Sequence, residues 1–270
     1  MASLETMLRK LRALMRSMGS AAVAFSGGSD STLVAKLARD ELGAKALAVT
    51  VDSPMYPASE LTQARKIARM IGIDHVVIRV DPLGDKTFTS NPVDRCYLCK
   101  LDDLEHIRKV ADERGLKEIL DGSNADDPKD YRPGLRAKEE LGVRSPLAEA
   151  GVGKDDVRRL SRMLELPTAS KSSSPCLASR IPYGEAITRE KLRMIEEAEE
   201  FLKGKGFEQV RVRVHGSMAR IELSPKEIDR FLSSGMRLTV ARKLRTLGFA
   251  YVSLDMEGYR MGSLNEVLDR

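Results

Sequence analysis

A strand, a tight glycine loop and a helix, compressed into residues 22–38, constrain this chain more than any other stretch. Ala22-Val23-Ala24-Phe25 is apolar and runs straight into Ser26-Gly27-Gly28-Ser29-Asp30-Ser31. Leu33, Val34, Leu37 and Ala38 then recur at helical spacing, so the glycines fall between the end of a strand and the start of a helix. Glycine lets backbone approach a ligand closely, and a helix start presents unpaired N–H groups at the positive end of its dipole. With Ser26, Ser29, Ser31 and Thr32 as short hydroxyl donors, the loop is built to hold phosphate. It lacks a Gly-Lys-Ser/Thr ending, and no lysine stands where one would reach a γ-phosphate. An ordinary Gly-Ser turn is the plain alternative.

The chain continues as alternating strand and helix. Ala46–Val51 reads as a buried strand, a helix starts near Ser59, and His75–Val80 reads as a third strand. A helix over Leu101–Arg114 and a short strand at Glu118–Leu120 follow. This alternation predicts an α/β fold: a parallel sheet with helices on both faces and ligands at the carboxyl ends of its strands. Those ends carry Asp52-Ser53, Asp81-Pro82 and Asp121-Gly122-Ser123-Asn124. The expected nucleotide-binding set is therefore Ser26, Gly27, Gly28, Asp30, Ser31, Thr50, Asp121 and Gly122. Asp126, Asp127 and Asp130 either stand near a phosphate-bound magnesium ion or belong to a solvated loop.

At 270 residues the chain exceeds one common domain. Leu166–Pro175 is a break rich in serine and proline, and we expect a nucleotide-binding domain over 1–168 and a smaller α+β domain over 169–270. In the latter, Thr188 caps a charged helix to about Lys203, and Val210–Val214 with Ala219–Leu223 forms an antiparallel hairpin. Helices from Ser224-Pro225 and over Leu238–Leu247, and a strand at Tyr251–Leu254, complete it. Residues 1–18 place Leu4, Met7, Leu8, Leu11, Leu14 and Met15 on one helical face. No apolar run nears the ~20 residues of a membrane span and no signal-peptide core is present, so a cytoplasmic protein without a membrane partner is expected. A net charge of +5 suits an anionic substrate. Trp is absent and aromatics make up 4%, which argues against a reader of nucleic acid by stacking.

Two groups outside the loop carry chemistry. Cys96-Tyr97-Leu98-Cys99 and the distant Cys176 make three cysteines, too few for a four-ligand zinc site and odd for a disulfide framework. An iron–sulfur cluster with one open iron, a redox pair or zinc site, and structural thiols all remain open. Arg211 and Arg213 sit two apart on a strand, so both face one side, where two guanidinium forks fit a phosphate or a solvated edge.

Five motifs in one order carry a resemblance. These are S-G-G-S-D-S at Ser26–Ser31, R-C-Y-L-C-K at Arg95–Lys100, D-G-S-N-A-D-D at Asp121–Asp127, P-C-L-A-S-R-I-P-Y-G at Pro175–Gly184 and V-R-V-R at Val210–Arg213. The first is similar to the PP-loop of ATP pyrophosphatases, and together they resemble the LarE family of ATP-dependent sulfur transferases over nearly the whole chain. The resemblance implies ATP with Mg2+ as cofactors and adenylation of a carboxylate of pyridinium-3,5-biscarboxylic acid mononucleotide, with Asp30 organising the loop or its magnesium. Sulfur then displaces AMP on the way to a nickel-pincer cofactor. It implies that Cys176 handles sulfur and that Ser179, Arg211 and Arg213 bind the substrate phosphate. Because Cys96 and Cys99 accompany Cys176, the chain resembles the branch that holds a [4Fe-4S] cluster on three cysteines and takes exogenous sulfide, rather than the branch that sacrifices its single cysteine. A homo-oligomer is expected. The rivals are a tRNA thiolase, disfavoured by the missing RNA-binding module, and an NAD-synthetase-type amide synthetase, which has no use for the cysteines.

Overall fold

The computed structural model describes residues 3–127, 134–171, 174–233, 235–260 and 262–263. Asp130 lies outside them. By its internal contacts the chain divides into two compact units, one of Met1–Pro82 with Asp94–Ser174, the other of Leu83–Val93 with Pro175–Arg270.

The first unit opens with α1 (Leu4–Met18), capped by the Ser3 hydroxyl, which accepts from the Thr6 amide at 3.2 Å. Its buried stripe is Leu8, Leu11, Met15 and Met18. Then come β1 (Ala21–Ala24), α2 (Ser29–Leu42), β2 (Ala46–Asp52), α3 (Ala58–Ile71) and β3 (Asp74–Arg79). α5 (Arg95–Glu113), β4 (Glu118–Leu120), α6 (Gly134–Glu140), α7 (Pro146–Glu149) and α8 (Lys154–Met163) follow a short α4 (Lys86–Thr89) that belongs to the second unit. The four strands pair in parallel in the order β3-β2-β1-β4. This is the α/β fold expected. Side chains alternate across β1. Ala21 and Val23 join the core under α1, α2, α3 and α8, while Ala22 packs with Leu104, Ile107 and Ala111 of α5 on the opposite face. The chain winds outward from β1 to β3 and then returns to β1's other side for β4. The order in which the chain lays down strands therefore reverses at β1, and a crevice opens at the carboxyl ends there.

The second unit holds α9 (Arg189–Gly204), β5 (Val210–His215), β6 (Met218–Leu223), α10 (Pro225–Ser233), α11 (Met236–Thr246) and β7 (Tyr251–Leu254). β5 and β6 are antiparallel, and β7 adds in parallel to β6. The stretch Leu83–Val93 is woven into this unit rather than its sequence neighbours. Asn91, fully buried, donates its side-chain amide to the carbonyls of Pro182 at 2.7 Å, Glu185 at 3.0 Å and Ile181 at 3.3 Å, and Ile187 N–H reaches Thr89 O at 2.9 Å. The expected division at 168/169 is contiguous, whereas these bonds bring an inserted segment into the C-terminal unit.

Candidate active site

The phosphate loop folds as its residues dictate. Gly27 has φ +68°, and a Cβ there would sit 2.9 Å from the Ala64 Cα of α3. Only glycine supplies both the left-handed conformation and the space. Ser26 Oγ lies 3.1 Å from Ser31 Oγ and accepts from the Gly28 amide at 3.3 Å. The first intrahelical bond of α2 runs from Thr32 N–H to Gly28 O, at 3.0 Å, so the amides ahead of it are available at the helix's positive end. Beside the loop is a cavity of about 300 Å³. Ser26, Gly28, Ser29, Asp30 and Thr50 line it, and Phe25, Val49 and Val51 give it an apolar wall. Its size and mixed lining suit a nucleotide.

Other members of the expected set brace the loop, Thr50 from the cavity wall and Gly122 and Asp121 from outside the lining. Thr50 donates its hydroxyl to Phe25 O at 2.6 Å and meets His75 Nε2 at 2.8 Å, fixing the strand end from which the loop springs. Burial, with help from Arg65, keeps His75 below its ordinary pKa and hence neutral. Gly122 presses on the start of α2: a Cβ there would meet Ser31 N at 2.7 Å. Asp121 is buried outside the cavity lining and accepts from Ser123 Oγ and Ser145 Oγ, both at 2.7 Å, and from Lys138, 3.2 Å away. Burial opposes its charge, yet Lys100, Lys138 and the two hydroxyls outweigh it and hold the carboxyl below the usual range. Asp126 and Asp127 take up backbone: Asp126 Oδ2 accepts from Lys154 N–H and Asp127 Oδ2 from Asn124 N–H, at 2.8 and 2.9 Å.

Three groups of the cavity were not in the sequence-derived set. Lys154, first residue of α8, pairs with Asp30 and donates to Ser29 Oγ at 2.9 Å. Lys171 donates to Glu60 at 2.7 Å and to Gly27 O at 3.2 Å. Asp103 of α5 accepts from the Tyr56 hydroxyl at 3.0 Å, and burial, opposed by Lys100 and Tyr56, pushes its pKa up to about 6. Gly153 at the N-cap and Asp155-Asp156 in the first turn were readable start signals for α8. Nothing local marks Lys171.

Cys96 and Cys99 are one turn apart at the start of α5, which begins at Arg95, ahead of the expected Leu101. Cys96, Lys100, Asp103 and Ile107 follow one helical stripe, and the last three line the cavity. Tyr97 turns instead to α6, giving its hydroxyl to Glu140 at 2.7 Å while the Arg136 guanidinium covers its ring at 3.6 Å.

Cys176, half-buried, belongs to the second unit and precedes a 3₁₀ turn, Leu177–Arg180. Its carbonyl accepts from the Ser179 hydroxyl at 2.7 Å and from Arg180 Nη1 at 2.9 Å. Arg180, also missed, is 1% exposed and forks onto Glu199 of α9 at 2.8 and 2.9 Å. A glutamate on the apolar stripe of Leu192, Ile195 and Leu202 was the legible hint. The two strand arginines differ sharply. Arg213 forks onto Glu222 at 2.8 and 2.9 Å and donates to Ser179 O and Ser263 Oγ, leaving one of its five N–H groups. Arg211, 9% exposed, has no carboxylate partner among the described residues; it gives one bond to Val210 O and stands 5.2 Å from the Tyr259 ring. Burial and the nearby Arg180 pull its pKa down. Glu199 acts on it through space, but no carboxylate among the described residues reaches it to form an ion pair. No group of three His, Cys, Asp or Glu side chains able to hold a metal occurs among the described residues, and none of their helices is long and apolar enough to cross a membrane.

A family model described as asparagine synthase matches residues 4–85. The chain is 43% identical to an uncharacterized protein of Synechocystis, across 99% of this chain and 100% of that one. It is 39% identical to the pyridinium-3,5-bisthiocarboxylic acid mononucleotide synthase of Lactiplantibacillus plantarum, across 100% of this chain and 98% of the relative. With an uncharacterized protein of Methanocaldococcus jannaschii it shares 31% identity across 88% of this chain and 90% of the other.

Proposed function

Because the chain belongs to the LarE family of ATP-dependent sulfur transferases, we propose that it adenylates a carboxylate of pyridinium-3,5-biscarboxylic acid mononucleotide and exchanges AMP for sulfur. The product is the thiocarboxylate used in building a nickel-pincer nucleotide. The observation that carries this reading is the phosphate loop opening on a nucleotide-sized cavity, in a chain alike over its full length to a synthase of that class.

In this reading the free amides of α2 and the hydroxyls of Ser26 and Ser29 bind the polyphosphate of ATP, and Asp30 organises the loop with its magnesium. The apolar wall of Phe25, Val49 and Val51 takes the base. Arg211 is the main anchor for the substrate phosphate: a buried guanidinium with no ion-paired carboxylate among the described residues is completed by a dianion, and the last free N–H of Arg213 adds to it. Ser179, whose hydroxyl is engaged by Cys176 O and Arg180, holds the turn that carries Cys176. Three thiols outside any disulfide offer the soft donors that an iron–sulfur cluster with one open iron takes, although no group of three placed to hold a metal occurs among the described residues. Cys96, Cys99 and Cys176 would hold it, and when bound it would supply a site for deprotonated sulfide.

The test is anaerobic turnover with ATP, the pyridinium mononucleotide and sulfide, scoring nucleotide products and the mass of the Cys176 peptide. AMP, pyrophosphate and repeated turnover with intact Cys176 are expected. ADP and inorganic phosphate would overturn the adenylation, and dehydroalanine at residue 176 after one turnover would replace sulfide delivery by sacrifice of the cysteine.

A further inference from the structure

Beyond Leu254 the chain turns back to the strand arginines of the small sheet. Asp255 N–H pairs with Ile221 O at 2.8 Å, and the Asp255 carboxylate accepts from the Glu257 and Gly258 amides at 3.0 and 3.1 Å, which closes a tight turn. Gly258 has φ +72°, and a Cβ there would stand 2.5 Å from Leu223 O. Only glycine lets the turn lie so close against the end of β6. The next amide, Tyr259 N–H, reaches that same carbonyl at 2.7 Å. The turn therefore delivers the Tyr259 ring to Arg211, 5.2 Å from the guanidinium carbon, and Ser263 accepts from Arg213 at 3.0 Å.

This placement puts an aromatic ring beside a cation that is short of partners. The charges acting on Arg211 are Arg180, Glu199 and Arg213, and Glu199 is itself forked by Arg180. The other rings of the unit that lie close to one another, Phe207 and Phe231, pack together in the core, and Phe249 is buried as well. Tyr259 is instead partly exposed, within reach of a ligand that Arg211 holds. A phenol ring carries negative charge density on its face and attracts a cation there. A pyridinium mononucleotide brings both complementary parts, a dianionic phosphate and, across one ribose, a permanently cationic ring. Once the phosphate pairs with Arg211, the guanidinium no longer opposes a second cation at the phenol face.

We propose that Tyr259 is a specificity-determining contact: its ring packs on the pyridinium of the mononucleotide whose phosphate Arg211 holds, and it selects that cationic ring over an uncharged one of nearly the same shape. The contact rests on the reading of Arg211 as the phosphate anchor. The turn at Gly258 fixes the backbone of Tyr259 before substrate arrives, which lowers the ordering cost of binding.

Calorimetric titration of the full chain with nicotinic acid mononucleotide, its 1,4-dihydro form and ribose 5-phosphate separates this role from simple support of Arg211. The dihydro form keeps the phosphate and ribose but loses the ring charge, and ribose 5-phosphate has no ring. The wild-type chain should bind the pyridinium form roughly 3- to 30-fold more tightly than the dihydro form, the range of a cation on an aromatic face. Tyr259→Leu should abolish that preference and leave ribose 5-phosphate affinity unchanged, whereas Tyr259→Phe should keep most of it. Equal binding of the two ring forms by the wild type, or a preference that survives in Tyr259→Leu, would overturn the proposal. So would ribose 5-phosphate weakened in Tyr259→Leu as much as the pyridinium nucleotide. Arg211→Ala tests the parent reading separately. It should weaken all three ligands; ribose 5-phosphate bound at wild-type strength by that variant refutes the phosphate site, whereas loss there with no effect at residue 259 refutes the ring contact alone.

Discussion

Arg211 and Arg213 occupy equivalent places in V-R-V-R, yet removing them should have different effects. Arg213→Ala strands Glu222, which is 1% exposed and would keep only Arg220, 3.0 Å away. A buried carboxylate deprived of its main partner costs about 3 kcal/mol or more, read as a lowered midpoint in thermal or urea unfolding. Arg211→Ala removes a cation without a carboxylate, so stability should hold within about 1 kcal/mol while KM for the mononucleotide rises steeply. Equal melting points for the two variants would contradict this split. Asp103 sets a second residue-scale expectation. A carboxyl raised from an ordinary 3.8 to about 6 binds its proton more tightly folded than unfolded. Stability is therefore fully retained below about pH 4 and eroded as pH climbs through 6, by roughly 3 kcal/mol as an upper bound. Asp103→Asn, which can still accept from Tyr56, should flatten that decline in melts between pH 4.5 and 7.5. Parallel curves for variant and wild type would return Asp103 to an ordinary carboxylate.

Elements written in strong hydrophobic periodicity were legible. α1, β1, β2, α3, β3, α9 and the β5–β6 hairpin follow their apolar pattern to within a few residues. α6, α7 and α8 were not placed, because the first two are short and α8 shows its apolar face only at Val157 and Leu160. α5 starts six residues early, since Arg95, Cys96 and Cys99 carry no helix signature of their own and the fold supplies one through Asp94 O. The same distinction divides the site. The loop could be read because its function is local, whereas Lys154, Lys171 and Arg180 acquire meaning only from partners brought by tertiary structure. Gly122 tests the junction between β4 and α2. Gly122→Ala would place a methyl 2.7 Å from Ser31 N, a contact relieved only by moving one element. A loss of about 1–3 kcal/mol in unfolding free energy is expected, with weaker ATP binding. Wild-type values for both would show that the junction yields freely.

On the scale of the whole molecule, the chain passes from the first unit to the second, back, and across again. The pattern of motifs in sequence suggests one boundary near 168, and the early excursion at Leu83–Val93 leaves no compositional mark. Its evidence is an asparagine, Asn91, with φ +60° and a side chain bonded about 90 residues downstream. That interleaving sets a schedule for synthesis. Asn91 leaves the ribosome long before Ile181–Glu185 exist, and at about 5–20 residues per second the interval is roughly 5–20 s. During it, α1 through β3 have one another but still await β4 and α8, which complete their core, while Leu83–Val93 waits as an unclaimed stretch between β3 and the nascent cysteine helix. A C-terminal fragment starting at Pro175 would be born without the segment that Ile181, Pro182 and Glu185 are waiting to receive.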